Sequence, residues 1–271
     1  MRNLTATLCL TIAVLLGSVG VSASADLQTG LTAYESGDYV TALREWTPLA
    51  KQGNAVAQFV LGVMHQNAQG VPQDYKTALK WYKLSAEQGY ADAQYRLGFM
   101  YKKGWGVPQD DKTAVKWYKL AAEQEHATAQ HALGGMYYDG KVVPQDYKTA
   151  VKWYRLAAEQ GFARAQHALG FMYEKGWGVP QDDKTAVKWY KLAAEQGLVY
   201  SQSNLGRMYA FGQGVLKDYV RAHMWGNLAA SNGTETGTKL RDFVEKKMTP
   251  SQLEKAQDLA RECVRKKYKG Y

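Results

Sequence analysis

Three registers recur every 36 residues along this chain, and they hold the side chains best suited to binding. The first reads Phe59, Tyr95, His131, His167, Ser203; the second reads Val63, Phe99, Gly135, Phe171, Arg207. The third reads Gln66, Lys102, Tyr138, Glu174, Ala210. Within each unit the three positions fall at i, i+4 and i+7, which is one face of a helix. Aromatic and arginine side chains carry much of the energy at protein interfaces. Tyr95, Phe99, Lys102, His131, Tyr138, His167, Phe171, Glu174 and Arg207 are therefore the candidate partner-binding residues. Ordinary surface placement, or packing between neighbouring units, is the competing use of the same positions.

Other chemistry is poorly supported. His131 and His167 occupy one register in adjacent units. Packed helices lie roughly 8–10 Å apart, whereas a zinc–histidine bond is about 2 Å, so the pair is not expected to share a metal. Gly104-x-Gly106 lacks the preceding strand of a dinucleotide fingerprint. No nucleophile–base arrangement, phosphate loop or carboxylate pair stands at motif spacing, so no catalytic residue and no cofactor is assigned. The second segment of each unit carries a basic ladder, typified by Lys112, Lys116 and Lys119 and repeated with Lys76, Lys80, Lys83, Lys148, Lys152, Arg155, Lys184, Lys188 and Lys191. An acidic partner, anionic lipid or nucleic acid would be attracted to it. A solvated face balanced in part by Glu87, Glu123, Glu159 and Glu195 is the plainer reading.

The elements that position these residues follow from the period. Lys103–Gln124 and Lys175–Gln196 are the same 22 residues, KGWGVPQDDKTAVKWYKLAAEQ, and a looser copy lies midway at Asp139–Gln160. A fixed period of this size marks a solenoid or array. Each unit reads as two helices. In the first, typified by Ala91–Lys103, Ala93, Leu97, Met100 and Tyr101 form one apolar stripe. Gly62, Gly98, Gly134, Gly170 and Gly206 recur inside it. A helix-interior glycine costs about 1 kcal/mol against alanine, so this position requires close helix approach. The recurrent Gln58, Gln94, Gln130, Gln166 and Gln202 are expected to bond backbone between units.

In the second helix, typified by Lys112–Gln124, Ala114, Trp117, Tyr118, Ala121 and Ala122 face inward, with Asp110 or Asp111 as the cap. Gly89, Gly161 and Gly197 end this helix; Glu125 stands there in one unit, so that turn should differ or be strained. Lys141 and Val142 break the Trp-Gly pattern of the intervening loop in the third unit. The reading is an all-α chain. Repeats span 26–230, with units of about 37–74, 75–110, 111–146, 147–182 and 183–218 and a partial 219–230, and capping helices occupy 231–271.

The pattern AxAQxxLGxMYxxGxGVPQDxxKAxxWYxxAAEQG, over roughly residues 37–230, resembles the Sel-one-like repeat family, a branch of the tetratricopeptide-type repeats. The ending AHMWGNLAASNG with KMTPSQLEKAQDLAREC is similar to a segment of many bacterial members. The resemblance implies a right-handed α/α superhelical solenoid whose first helices line the concave face. It also implies a protein partner rather than a substrate. Adaptor or regulator is the leading role implied, with a toxin-neutralising immunity protein or a cell-wall-ligand binder of β-lactamase type as alternatives. The enzymatic subgroup has regular cysteine pairs, which this chain lacks.

Residues 1–25 stand apart. Arg2, an apolar run from Leu8 to Val21 and Ala23-Ser24-Ala25 form the pattern of a secretory signal peptide. The mature chain is then expected in the periplasm or outside the cell, monomeric, without a membrane anchor and without nucleic acid as partner. Loss of Arg2 leaves 33 Lys and Arg against 25 Asp and Glu, a net charge of +8. Cys263 remains alone, so packing must supply the stability, and its helix position marks it as a buried apolar group.

Overall fold

The computed structural model describes the backbone of residues 21–270 and the side chains of 26–270. The leader expected at 1–25 lies outside the residues whose side chains are described. Fourteen helices and no strand occur among the described residues. They fall into two compact units, one ending at His126 and one beginning at Ala127. The first holds α1 (Val21–Glu35), α2 (Tyr39–Lys51), α3 (Ala55–Gln66), α4 (Tyr75–Glu87), α5 (Ala91–Lys103) and α6 (Asp111–Glu123). The second holds α7 (Ala127–Asp139), α8 (Tyr147–Glu159), α9 (Ala163–Lys175), α10 (Asp183–Ala194) and α11 (Val199–Phe211). It continues through α12 (Tyr219–Ser231), α13 (Glu235–Glu245) and α14 (Pro250–Arg265).

The opening pair and the first four repeats close on a glycine, whereas Gly206 of the fifth meets Leu240, because Gly226 stands where the others have tyrosine. A Cβ on Gly62 would stand 2.6 Å from the Tyr82 ring, and one on Gly134 would stand 2.7 Å from the Tyr154 ring. Gly98 and Gly170 meet Tyr118 and Tyr190 in the same way, and Gly30 meets Trp46 in the opening pair. The close approach read from the glycines is therefore ring on backbone. Burial of these tyrosine rings, with Ala, Leu and Met around them, makes the core of each pair.

Successive pairs are joined by the glutamines. Gln58 Nε2 donates to the Ala50 carbonyl at 3.0 Å, reaching into the preceding pair. Its Oε1 accepts from Gln88 Nε2 of its own repeat at 2.7 Å. Gln94 is held by Ala86 and Gln124, and Gln166 by Ala158 and Gln196. The expectation of backbone bonding between units is met, and a second glutamine completes each amide. At the end of the series the second partner is Asn232, one methylene short, which keeps the bond to the leucine carbonyl four residues back, as Gln88 makes to Leu84, but makes none to Gln202. Gln202 still donates to Ala194, but its buried Oε1 has no hydrogen-bond partner.

The loops dock in the same repeating manner. Asp110 caps α6, accepting from the Thr113 amide at 3.0 Å and the Thr113 hydroxyl at 2.6 Å. Trp105 stacks on Tyr75 of the preceding repeat at 4.9 Å, and Trp177 on Tyr147 at 5.2 Å. A Cβ on Gly106 would stand 2.5 Å from the Tyr75 carbonyl oxygen, so the loop lies against that helix start. After α6 the chain keeps the turn that glycine makes elsewhere: Glu125 has φ +62°, against +88° at Gly89. The strained alternative for that turn is the one realised. Cys263 is fully buried, and desolvation pushes its thiol up to about 11.

Two repairs follow from the internal comparison. Glu125→Gly removes a left-handed side chain that costs roughly 1–2 kcal/mol, and Asn232→Gln satisfies a buried carbonyl oxygen worth about 1 kcal/mol. Each substitution should raise the denaturation midpoint by the equivalent of about 1 kcal/mol. An unchanged or lowered midpoint for both would contradict the strain and the orphaned oxygen described above.

Candidate functional site

Two of the three first-helix registers converge within the second unit, and Glu174 of the third braces them from behind. His167 and Phe171 of α9, Ser203 and Arg207 of α11, and Lys239 and Phe243 of α13 line one cleft of about 520 Å³. α13 takes the place that the first helix of a further repeat would hold, so Lys239 continues the first register and Phe243 the second. Tyr200, Asn204 and Phe211 complete the aromatic and polar lining along α11. The cleft is unusually rich in solvent-facing rings: Tyr200 is 66 % exposed, Phe211 56 % and Phe243 40 %. Phe211 and Phe243 stack with centroids 5.7 Å apart, one from each wall. Lys247 Nζ sits 5.0 Å from the Phe243 centroid, adding a cation at the edge.

Two polar anchors fix the cleft from below. His167 Nδ1 is 2.9 Å from Ser201 Oγ, and its ring lies 5.4 Å from Tyr190 and 6.3 Å from Tyr200. Desolvation pushes the imidazole below its ordinary pKa, although Glu174 opposes the shift, so His167 is neutral near pH 7. Arg207 Nη2 pairs with Glu174 Oε2 at 2.7 Å, and its Nη1 donates to Gln213 Oε1. Glu174 also accepts from the Tyr190 hydroxyl at 3.0 Å and from Lys175 at 2.7 Å. Burial alone would raise the Glu174 carboxyl, but Lys175, Arg207 and Tyr190 together hold it below the ordinary range. Arg207 is thus a braced charge.

The remaining sequence candidates sit elsewhere. Tyr138 joins a ring cluster with Tyr147 at 5.8 Å, Trp177 at 5.9 Å and Phe171 at 6.5 Å. His131 lies between Tyr154 at 5.6 Å and Phe162 at 5.4 Å. Tyr95, Phe99 and Lys102 belong to the first unit. Tyr95 stacks on His126 at 4.9 Å, Phe99 meets the edge of Trp105 at 5.3 Å, and Lys102 is exposed at the end of α5. So His167, Phe171 and Arg207 line the cleft, Glu174 supports it, His131 packs between Tyr154 and the start of α9, and Tyr138 packs against Phe171 and the loop residue Trp177 of the next repeat. Among the described residues no group of three His, Cys, Asp or Glu could hold a metal ion.

Seven lining residues escaped the sequence reading, Tyr200, Asn204, Phe211, Thr236, Lys239, Leu240 and Phe243. Lys239 and Phe243 stand 36 residues beyond Ser203 and Arg207, so one more step of the period points to both. Tyr200 and Phe211 replace polar or charged residues in the three preceding units (Asp92, Thr128 and Arg164; Lys103, Asp139 and Lys175). That departure was the available signal.

Comparison with known proteins agrees with this architecture. The Sel1 repeat model matches residues 55–90, 91–126, 127–162, 163–198 and 199–234. The crystal structure of a Sel1 repeat protein from Oxalobacter formigenes is 35 % identical, with 87 % of this chain and 98 % of that chain covered and a TM-score of 0.75. The protective antigen c5321 of uropathogenic Escherichia coli, with an SLR fold, is 29 % identical over 91 % of this chain and 69 % of its own, with a TM-score of 0.45. A comparison with curated proteins finds no match. The all-α repeat solenoid read from the sequence is borne out by the five tandem repeats and by the Oxalobacter structure. With helix pairs that repeat in step with those five matches, this chain belongs to the Sel1 repeat family.

Proposed function

We propose that this protein is an exported, non-enzymatic interaction module that binds a partner protein in the cleft formed by α9, α11 and α13. Sel1 repeat proteins are protein-interaction modules, and the finer reading rests on one observation. Residues from two of the registers that vary from repeat to repeat come together in a single cleft, beside exposed rings that bridge two walls. Exposed aromatic anchors with a braced arginine beneath them are the composition of an interface centre. Both rings are presented from packed helices, so little ordering entropy is lost on binding. The proposed role is adaptor or regulator, in the periplasm or outside the cell; export is supported by Arg2, the apolar run and Ala23-Ser24-Ala25.

Affinity capture with the C-terminally tagged chain, identified by mass spectrometry, tests the binding site. Phe211→Ala with Phe243→Ala removes two exposed rings at little cost to folding. It should weaken retention of the captured protein by about 30-fold or more, equivalent to about 2 kcal/mol. Leu216→Ala, at a position 91 % exposed outside the cleft, should retain it fully. Equal retention by all three proteins would remove the cleft from the account. The intact mass of the purified product tests export separately: it should begin at Asp26, and a product that retains Met1 would contradict cleavage.

A further inference from the structure

The second helices carry a face that only one repeat covers. In the fifth repeat Leu228 of α12 is 3 % exposed, because Met224 and Leu228 share an apolar cluster with Ala260 and Cys263 of α14. The equivalent leucines of α4, α6, α8 and α10 are far more open: Leu84 45 %, Leu120 44 %, Leu156 37 % and Leu192 44 %. The side chain and its register are the same in all five, and the covering helix makes the difference. The flanking residues differ as well. Where α12 has Met224 and Asn227, the other helices have Lys80 and Lys83, Lys116 and Lys119, Lys152 and Arg155, and Lys188 and Lys191. α14 therefore lies on the one second helix whose cations are replaced by neutral residues.

The uncovered version of this face is a groove. On α8, Val151, Leu156 and the loop residue Val179 form the floor, and Lys148, Lys152 and Arg155 the rim, of a space of about 370 Å³. Arg155 Nη2 donates to the Tyr173 hydroxyl at 2.7 Å, which fixes its charge at the edge. A neutral helix laid here would desolvate two or three cations without pairing them, a cost that α12 avoids.

We propose that the leucine-and-lysine faces of α4, α6, α8 and α10 dock an acidic amphipathic helix of a partner protein, laid down as α14 lies on α12. An apolar stripe at i, i+4 and i+7, like Ala256, Ala260 and Cys263 of α14, would cover the leucine as Ala260 and Cys263 cover Leu228. Carboxylates beside that stripe would meet the rim cations and fix orientation. A groove floored by valine and leucine matches a rod with a narrow apolar stripe, whereas a planar anionic membrane would touch only the rim. Leucine and cations recur at these exposed positions in all four repeats, Arg155 being the one departure from lysine, in contrast with the varied first-helix registers, so this face binds a recurring feature rather than reading differences between repeats.

The probe is a peptide with the α14 sequence in which Lys255, Arg261 and Arg265 are replaced by Gln and Cys263 by Ala, leaving Glu254, Asp258 and Glu262. Fluorescence anisotropy should show it binding the full chain. Affinity should fall about tenfold or more when Lys80, Lys116, Lys152 and Lys188 are all replaced by Glu, with helical content unchanged in circular dichroism. The same peptide with Glu254→Lys, Asp258→Lys and Glu262→Lys should not bind the parent chain. Failure of the acidic peptide to bind the parent, or equal binding to parent and charge-reversed chains, would overturn the proposal. Retention on vesicles of anionic phospholipid without peptide binding would assign the face to membranes and overturn it equally.

Discussion

A buried side-chain amide holds this architecture in step. In α3, α5 and α9 one glutamine donates to a carbonyl of the preceding pair and accepts from a glutamine of its own repeat, as Gln58 does between Ala50 and Gln88. Buried amide atoms left unpaired cost roughly 1–3 kcal/mol, so the two contacts are coupled: losing one strands the other group. The bonds set where each first helix lies against the pair before it. Within a unit, the lateral placement of the i, i+4 and i+7 face follows from that register. The end of the series shows the constraint by its lapse, since Asn232 is too short and Gln202 Oε1 is left orphaned.

The second constraint acts inside each pair. Tyr82, Tyr118, Tyr154 and Tyr190 lie against glycines whose Cβ would overlap the ring. A helix penalised by glycine is made stable by the ring area it buries, and the tolerance for change is small at that contact. Change is therefore displaced to the other registers of the first helices, where Tyr95, His131, His167, Ser203 and Lys239 succeed one another. Fixed frame and varied face are two consequences of one packing solution.

Much of this was legible because duplication supplies an alignment within the chain. The glycine contact, the glutamine bond, the capping aspartates and the strained Glu125 turn each followed from a position that recurs or fails to recur. The site was harder to read. Register alone cannot show whether a ring faces solvent or a loop, and so Tyr138, Phe99 and Phe171, grouped by spacing, all pack against loop tryptophans, while Phe171 also lines the cleft. Phe211 was invisible to the register argument because no other unit has a ring there, and Phe243 because α13 has lost the surrounding repeat sequence. Nor does spacing disclose that α14 covers Leu228 while four equivalent leucines remain open, since that difference comes from a helix outside the period.

The most direct test of the central claim is site-specific photo-crosslinking from the cleft. A photoreactive phenylalanine analogue placed at position 200 or 243 of the full chain should crosslink the partner protein on illumination, and the same group at position 216 should not. Crosslinking from 216 with none from 200 or 243 would show that the partner lies elsewhere, and the variable first-helix face would lose its assignment.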